Sequence, residues 1–523
     1  MPTSQKIITK LRDRRQIEAD LRKMLTASSD LDFRRQAQKI ASHGSQVIPT
    51  IVGNLARADG RMLAAMGTVA TFLNQDEVVN ALRRVVLQPH QTDRSRLGAM
   101  TILERFLGQP PDDDLLASLS NPEGEAVASL EEILDQVEAN PSALIQYVEE
   151  LDRQEPDVVL AVARSLQDMG TRSASLDRVK RAVEALRMIA QDVRDEIAAE
   201  ALQSLGTIRL PEAAHALQTL LPITVPALQP LAERLLRKLQ FSGVEVNPLP
   251  VPDQTWRALI SPVNGLGQRS IWFIQENRST IHAQILNVLL SDRAGAVEAV
   301  GHTQVPALLL PPRRPLGHLH DIALPDGSGA ILMLEGSFDL GRRLVVEALP
   351  LNWETQIPVA GPLRLLSPWL WGYAGADSLP ARALPELSAE DKTLVATSDR
   401  LLEHPAFGTW SARSEATLRA AEEALRHPGW KLDVWVNRLT SELFAVPLVV
   451  QVISNRLVDM SEWLLLADDE PWARLALVAA QAILEDPLQE QPLLRAVVRR
   501  DLELALVSLQ NDSEPVSGME QYQ

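Results

Sequence analysis

The stretch ADGRMLAAMGTVATFLN (58–74) returns 34 residues later, without a gap, as TDRSRLGAMTILERFLG (92–108). Asp59/Asp93, Leu63/Leu97, Ala65/Ala99, Met66/Met100, Phe72/Phe106 and Leu73/Leu107 match in type. A second pair, offset by 36, aligns Ala163/Ala199, Leu166/Leu202, Gln167/Gln203 and Gly170/Gly206. Self-similarity at such a period marks helical hairpins stacked side by side, because one hairpin exposes an apolar face that only the next can cover. Each of these segments is followed by a second amphipathic one: DEVVNALRRVVL (76–87), RVKRAVEALRMI (178–189) and PEAAHALQTLL (211–221). A more diverged pair, DFRRQAQKIASHG (32–44) and SQVIPTIVGNLARA (45–58), precedes them.

Local chemistry agrees with hairpins. Gly206 stands where a helix end profits from a left-handed residue, and Pro211 opens the next helix where its missing N–H costs little. VRDEIAAEALQSLG followed by PEAAHALQTLL resembles HEAT repeats, in the short form of phycobilisome-lyase-like HEAT proteins, over about residues 30–241. The resemblance implies an α-solenoid with a long binding surface and, by itself, no reaction. The basic opening segment, with Lys6, Lys10, Arg12, Arg14 and Arg15, is expected to be a helix capping that stack.

The expected architecture is mainly α, in three parts. Residues 1–241 form the solenoid, and the Pro- and Gly-rich SGVEVNPLPVPD (242–253) is the linker. A small α+β module follows over 254–375, then a C-terminal helical region over 376–510 and a disordered polar tail over 511–523. All ten tryptophans lie from Trp256 onward, so composition changes at the linker. WRALIS, SIWFIQE, HAQILNVLL and AILMLEG read as strands, the first two joined by a turn at Asn264–Gly265. SDRAGAVEAVG (291–301) reads as a short helix with Ser291 or Asp292 as cap and Gly301 as stop, and SFDLGRRLVVEALPLNW as a helix opened by Ser337.

Composition excludes several chemistries. The chain has no cysteine, hence no disulfide, thiol nucleophile or Cys-ligated metal. A net charge of −17 opposes nucleic-acid binding. The longest apolar run, LFAVPLVVQVI (443–453), is too short to cross a bilayer. No leader segment is visible, and a cytoplasmic location without membrane contact is expected. Only eight of the 51 basic residues are lysine. Arginine forks suit interfaces, because they grip carboxylates with two donors.

Two clusters stand out as candidate sites. In GHLHD, His318 and His320 would share one face of a strand, with Asp321 beside them, as weak candidates for a metal site lacking an evident third ligand. In SPWLWGY, Trp369, Trp371 and Tyr373 alternate near Pro and Gly. They are candidates for a protein-binding hot spot, or else a packing seam between the α+β module and the C-terminal helices. No cofactor is expected. The leading functional expectation is a non-enzymatic scaffold for a protein partner. An enzyme or enzyme subunit of the lyase-like HEAT class, and a HEAT-type DNA-binding protein, are the alternatives.

Overall fold

The computed structural model describes residues 17, 19–25, 30–58, 60–88, 91, 93–109, 122–137, 140–173, 175–276, 281–323, 330–382, 384–411, 415–427, 429–485, 487 and 490–513. Most of the opening basic segment and residues 514–523 of the tail lie outside them. The protein is mainly helical, with a small antiparallel sheet in the middle of the chain. It divides into two compact units, Met1–Glu132 and Ile133–Gln523. The division does not fall at 242–253, a stretch that contains neither helix nor strand.

In the first unit, α1 (Asp30–Ala41) packs on α3 (Gly60–Thr71), and α3 packs on α5 (Asp93–Arg105). In parallel, α2 (Ile48–Asn54) packs on α4 (Gln75–Leu87). The 34-residue match has a physical content here: Ala65 and Ala99, and likewise Met66 and Met100, are buried at equivalent places. Asn74 caps α4 by accepting from the Glu77 N–H, and Asp76 and Glu77 favour the positive end of its dipole.

Helix α6 (Pro122–Gln136) is followed, in the second unit, by α7 (Ser142–Leu151), α8 (Pro156–Arg172), α9 (Leu176–Ile189), α10 (Asp195–Leu205), α11 (Pro211–Leu220) and α12 (Gln229–Phe241). Each helix from α8 to α10 packs on the second one after it. Leu166 and Leu202, matched in the sequence, are both fully buried. Burying one such side chain contributes about 1.5–3 kcal/mol. The glycines of this repeat have another cause than the expected one. Gly206 is right-handed, with φ −69°, so no left-handed cap is formed. A Cβ there would stand 2.5 Å from Leu235 Cδ2, and one on Gly170 would stand 2.3 Å from Ile208 Cδ1. Both glycines are sockets for an apolar side chain from further along the chain.

The sheet has the order β4-β3-β2-β1-β6-β5, with every neighbouring pair antiparallel. Its strands are β1 (Trp256–Ile260), β2 (Gln268–Glu276), β3 (His282–Ser291), β4 (Gly295–Pro306), β5 (Leu319–Ala323) and β6 (Ala330–Gly336). The expected turn joins β1 to β2: Asn264 Oδ1 accepts from the N–H groups of Leu266 and Gln268, and Gly267 supplies a φ of 79°.

The helix expected over 291–301 is a correction, because those residues turn β3 into β4. Its cap and stop signals serve other ends. Ser291 Oγ accepts from the Arg293 N–H within the turn, and Asp292 pairs with Arg456. Gly301 makes room for Leu366. Ladder pairing with β3 therefore overrides the local helix signals.

One face of the sheet carries α13 (Phe338–Thr355), capped by Ser337 as expected, and the far end of β4 carries α14 (Gly361–Trp371). The C-terminal helices are α15 (Glu415–Arg426), α16 (Leu432–Leu443), α17 (Pro447–Leu466), α18 (Glu470–Glu485) and α19 (Pro492–Ser513). Helix α19 thus runs into the region expected to be a disordered tail. Helix α17 meets the β1–β2 hairpin through Trp463 Nε1, which donates to Ile260 O at 2.9 Å, and the chain before α15 meets it through Trp410 Nε1, which donates to Val263 O at 2.9 Å. Among the described residues no single helix is long and apolar enough to cross a membrane.

Gly206→Ala should destabilise the fold by about 1–3 kcal/mol through overpacking. Leu235→Ala should then cost less on that background than on the wild type, a coupling read from denaturation midpoints of the four proteins. Additive effects would reject direct contact as the cause.

Candidate functional site

The register of β1, β6 and β5 brings three polar side chains to one level of the sheet. Arg257, Glu335 and His320 all project from the face opposite α13 and are buried there. Glu335 accepts from Arg257 Nη1 at 3.0 and 3.3 Å and lies 2.8 Å from His320 Nε2. It also accepts from the backbone N–H of Arg314 at 3.4 Å. Arg257 reaches further, to Glu276 at 3.0 Å and to Pro311 O.

Leu319, His320 and Asp321 of GHLHD thus lie on β5, while Gly317 and His318 lead into it from a turn. His318 and His320 share a face, with ring centroids 4.9 Å apart. Asp321 projects from the opposite face and is exposed, because neighbouring strand residues alternate. Among the described residues no group of three or more His, Asp or Glu side chains is placed to hold a metal ion. A His–carboxylate pair resembles the base and orienter of a catalytic site, but here the carboxylate is held by a guanidinium. The arrangement is suited to fixing neighbouring chain in place.

The aromatic candidates are brought together, but largely as core. SPWLWGY is helical as far as Trp371, passing through Pro368. Trp371 is fully buried and Trp369 and Tyr373 are half-buried. Arg342 lies 5.3 Å from the Trp371 ring and 5.4 Å from the Phe338 ring. Tyr373 meets Phe338 edge-on at 5.9 Å and Trp256 at 6.0 Å. Trp371 is thus corrected from an exposed hot-spot candidate to a core residue, whereas Trp369 and Tyr373 keep part of their surface exposed. The seam expectation is corrected in its partner: α14 packs on α7, α9 and α11, the helices that precede the sheet.

That seam contains a buried ion pair. Arg364 is fully buried and faces Asp152, at the end of α7, with two contacts of 2.9 and 3.2 Å. Burial raises the Asp152 carboxyl against the opposing pull of Arg364. Pro368 has no N–H to give to the carbonyl of Arg364 one turn earlier. The vacancy is answered from α9 and the residues just after it: Arg187 Nη1 donates to Arg364 O at 2.8 Å and Gln191 Nε2 at 3.1 Å. Arg187 also donates to Ser367 Oγ and Leu365 O, and burial lowers its guanidinium to about 10.

A third cluster joins β2, α13 and α17. Arg269, Arg343 and Arg382 lie among Glu347, Asp459 and Glu462, beside a cavity of about 10 Å³ that has room for one water. Burial lowers the Arg269 guanidinium. Sequence reasoning gave none of these arginines a partner. The available signal was a charged residue inside an apolar strand or helix, as in WRALI and GPLRLLSPWLW.

No protein-family model matches this chain, and no curated protein matches it.

The seam predicts a specific imbalance. Asp152→Ala should cost about 3–5 kcal/mol, because Arg364 is left buried without a counter-charge, whereas Asp152→Ala with Arg364→Met should recover much of the loss. All tryptophans follow residue 255, so tryptophan fluorescence in denaturant reads this unit alone. Equal losses in single and double variants would show that the pair is not what holds the seam.

Proposed function

We propose that this protein is a non-enzymatic interaction scaffold, whose HEAT-like hairpins form an α-solenoid that receives a protein partner. The observation that carries this reading is a groove of about 510 Å³ between the turns of two successive hairpins. Gly170, Thr171 and Ser173 line it from the end of α8, Leu176 and Val179 from the start of α9, and Thr207, Arg209 and Leu210 from the α10–α11 turn. Its size lies in the range of sites that hold ligands. Exposed Leu176 beside hydroxyls and a guanidinium suits a peptide with an apolar and an acidic residue. The stacking of each helix on the second one after it supports the solenoid reading, since repetition of that contact extends a surface in one direction.

The alternatives find less support. The His–carboxylate pair best placed for acid–base work has its carboxylate held by Arg257. An acidic chain with eight lysines lacks the charge that phosphate backbones require.

The test is a comparison of full-length baits, wild type against Leu176→Glu/Arg209→Glu, in quantitative capture from native lysate. At least one protein held by the wild type should fall by about tenfold with the variant, at an unchanged unfolding midpoint. Identical capture by both baits would remove the groove as the binding surface.

A further inference from the structure

Between β4 and β5 the chain crosses the sheet face opposite α13 as a strap, Pro311-Pro312-Arg313-Arg314-Pro315-Leu316, exposed from Pro312 onward. Its backbone conformation is narrowly set. Leu310, with φ −94° and ψ 149°, is extended, and Leu310, Pro311 and Arg314 each precede a proline, which keeps them out of the helical region. A polyproline-type strand repeats every three residues, and the contacts follow that period. Leu310 packs on the sheet's small apolar cluster with Leu259, Ile274 and Met333. Three residues later, Arg313 turns the same way and donates to Trp256 O at 3.1 Å and to Gln254 O. Pro312 and Pro315, also three apart, are both exposed.

The strap is pinned from behind by the buried ion cluster, as Arg257 donates to Pro311 O and Glu335 accepts from the Arg314 N–H. Around it stand Leu308, Leu309 and Leu316, exposed by 84%, 69% and 70%. The Arg314 guanidinium is exposed and forms no ion pair among the described residues. This free positive charge lies on a chain whose net charge is −17.

We propose that the strap is a preformed polyproline-type ligand, displayed for a partner domain whose groove is lined by aromatic rings and rimmed by carboxylates. A Pro-x-x-Pro edge docks into such grooves through the two prolines, at low entropic cost because the strand is already extended. The two edge prolines supply the apolar ridges, and Arg314 supplies the charge that the acidic rim matches. The strap and the groove at Leu176 are separate surfaces, and each can fail its test without the other.

The test uses the full chain against isolated, isotope-labelled SH3, WW and EVH1 domains in NMR titrations. At least one should show saturable shifts confined to its groove aromatics. Pro312→Ala/Pro315→Ala should weaken that binding by about tenfold, equivalent to about 1.4 kcal/mol, with the tryptophan-monitored unfolding midpoint unchanged. Arg314→Glu, a change to an exposed side chain, should weaken it and reduce its salt dependence; it decides the matter if the proline variant does not fold. The proposal is overturned if none of the three domain types binds the wild-type chain, or if binding survives these substitutions.

Discussion

Arg364 has left water completely, and a guanidinium in that position is tolerable only beside a matched carboxylate. Asp152 supplies it from 212 residues away. Much of the second unit's organisation rests on this pair. It fixes α14 against α7, and α14 in turn lies on β4, so the helices before the connector and the sheet after it belong to one compact unit. The proline inside α14 adds to the fit. By withholding an N–H it frees the Arg364 carbonyl, and a free buried carbonyl demands a donor. Arg187 and Gln191 donate to it from across the seam, alongside the Ser367 hydroxyl of α14 itself. A break in one helix's hydrogen bonding has become a contact between elements.

The same device recurs at other junctions. Arg343 and Arg382 meet Glu462 where α13 and the 382 region approach α17, and Arg456 meets Asp292 and Gly265 O where α17 touches the sheet's turns. Buried ion pairs contribute little net stability, since desolvation offsets most of the attraction. Their value at a junction is geometric, as a planar fork accepts a carboxylate in few orientations. The arginine preference visible in the composition thus has a use inside the molecule, in setting how elements dock, as well as any use on its surface.

What was legible in the sequence was local. The hairpin helices could be read because their apolar period and their caps lie within a few residues, as with Asn74 and Ser337. Four strands could be read from short apolar runs. Residues 291–301 were misread because their cap and stop signals were sound but irrelevant, the outcome being decided by β3. Gly206 was placed correctly but explained wrongly, since Leu235 lies two helices further on. His320 and the aromatic trio were noticed without their partners. The seam was beyond local reading altogether: nothing near Arg364 announces Asp152, and no period connects Arg257 with Glu335 across 78 residues.

The ion cluster at Glu335 differs from the others in one respect that bears on its purpose. Arg343, Arg364 and Arg456 each clamp one regular element to another element or to a turn. Arg257 and Glu335 already sit on strands hydrogen-bonded through β1 and β6, which the ladder holds without help. What the pair adds is a grip on irregular chain, through Pro311 O and the Arg314 N–H. A proline-rich segment has few N–H groups with which to join a sheet, so side chains must hold it if it is to keep one conformation. The cost of burying a guanidinium and a carboxylate is therefore borne where the backbone cannot fix the strap. The segment held in this way turns Pro312 and Pro315 to solvent.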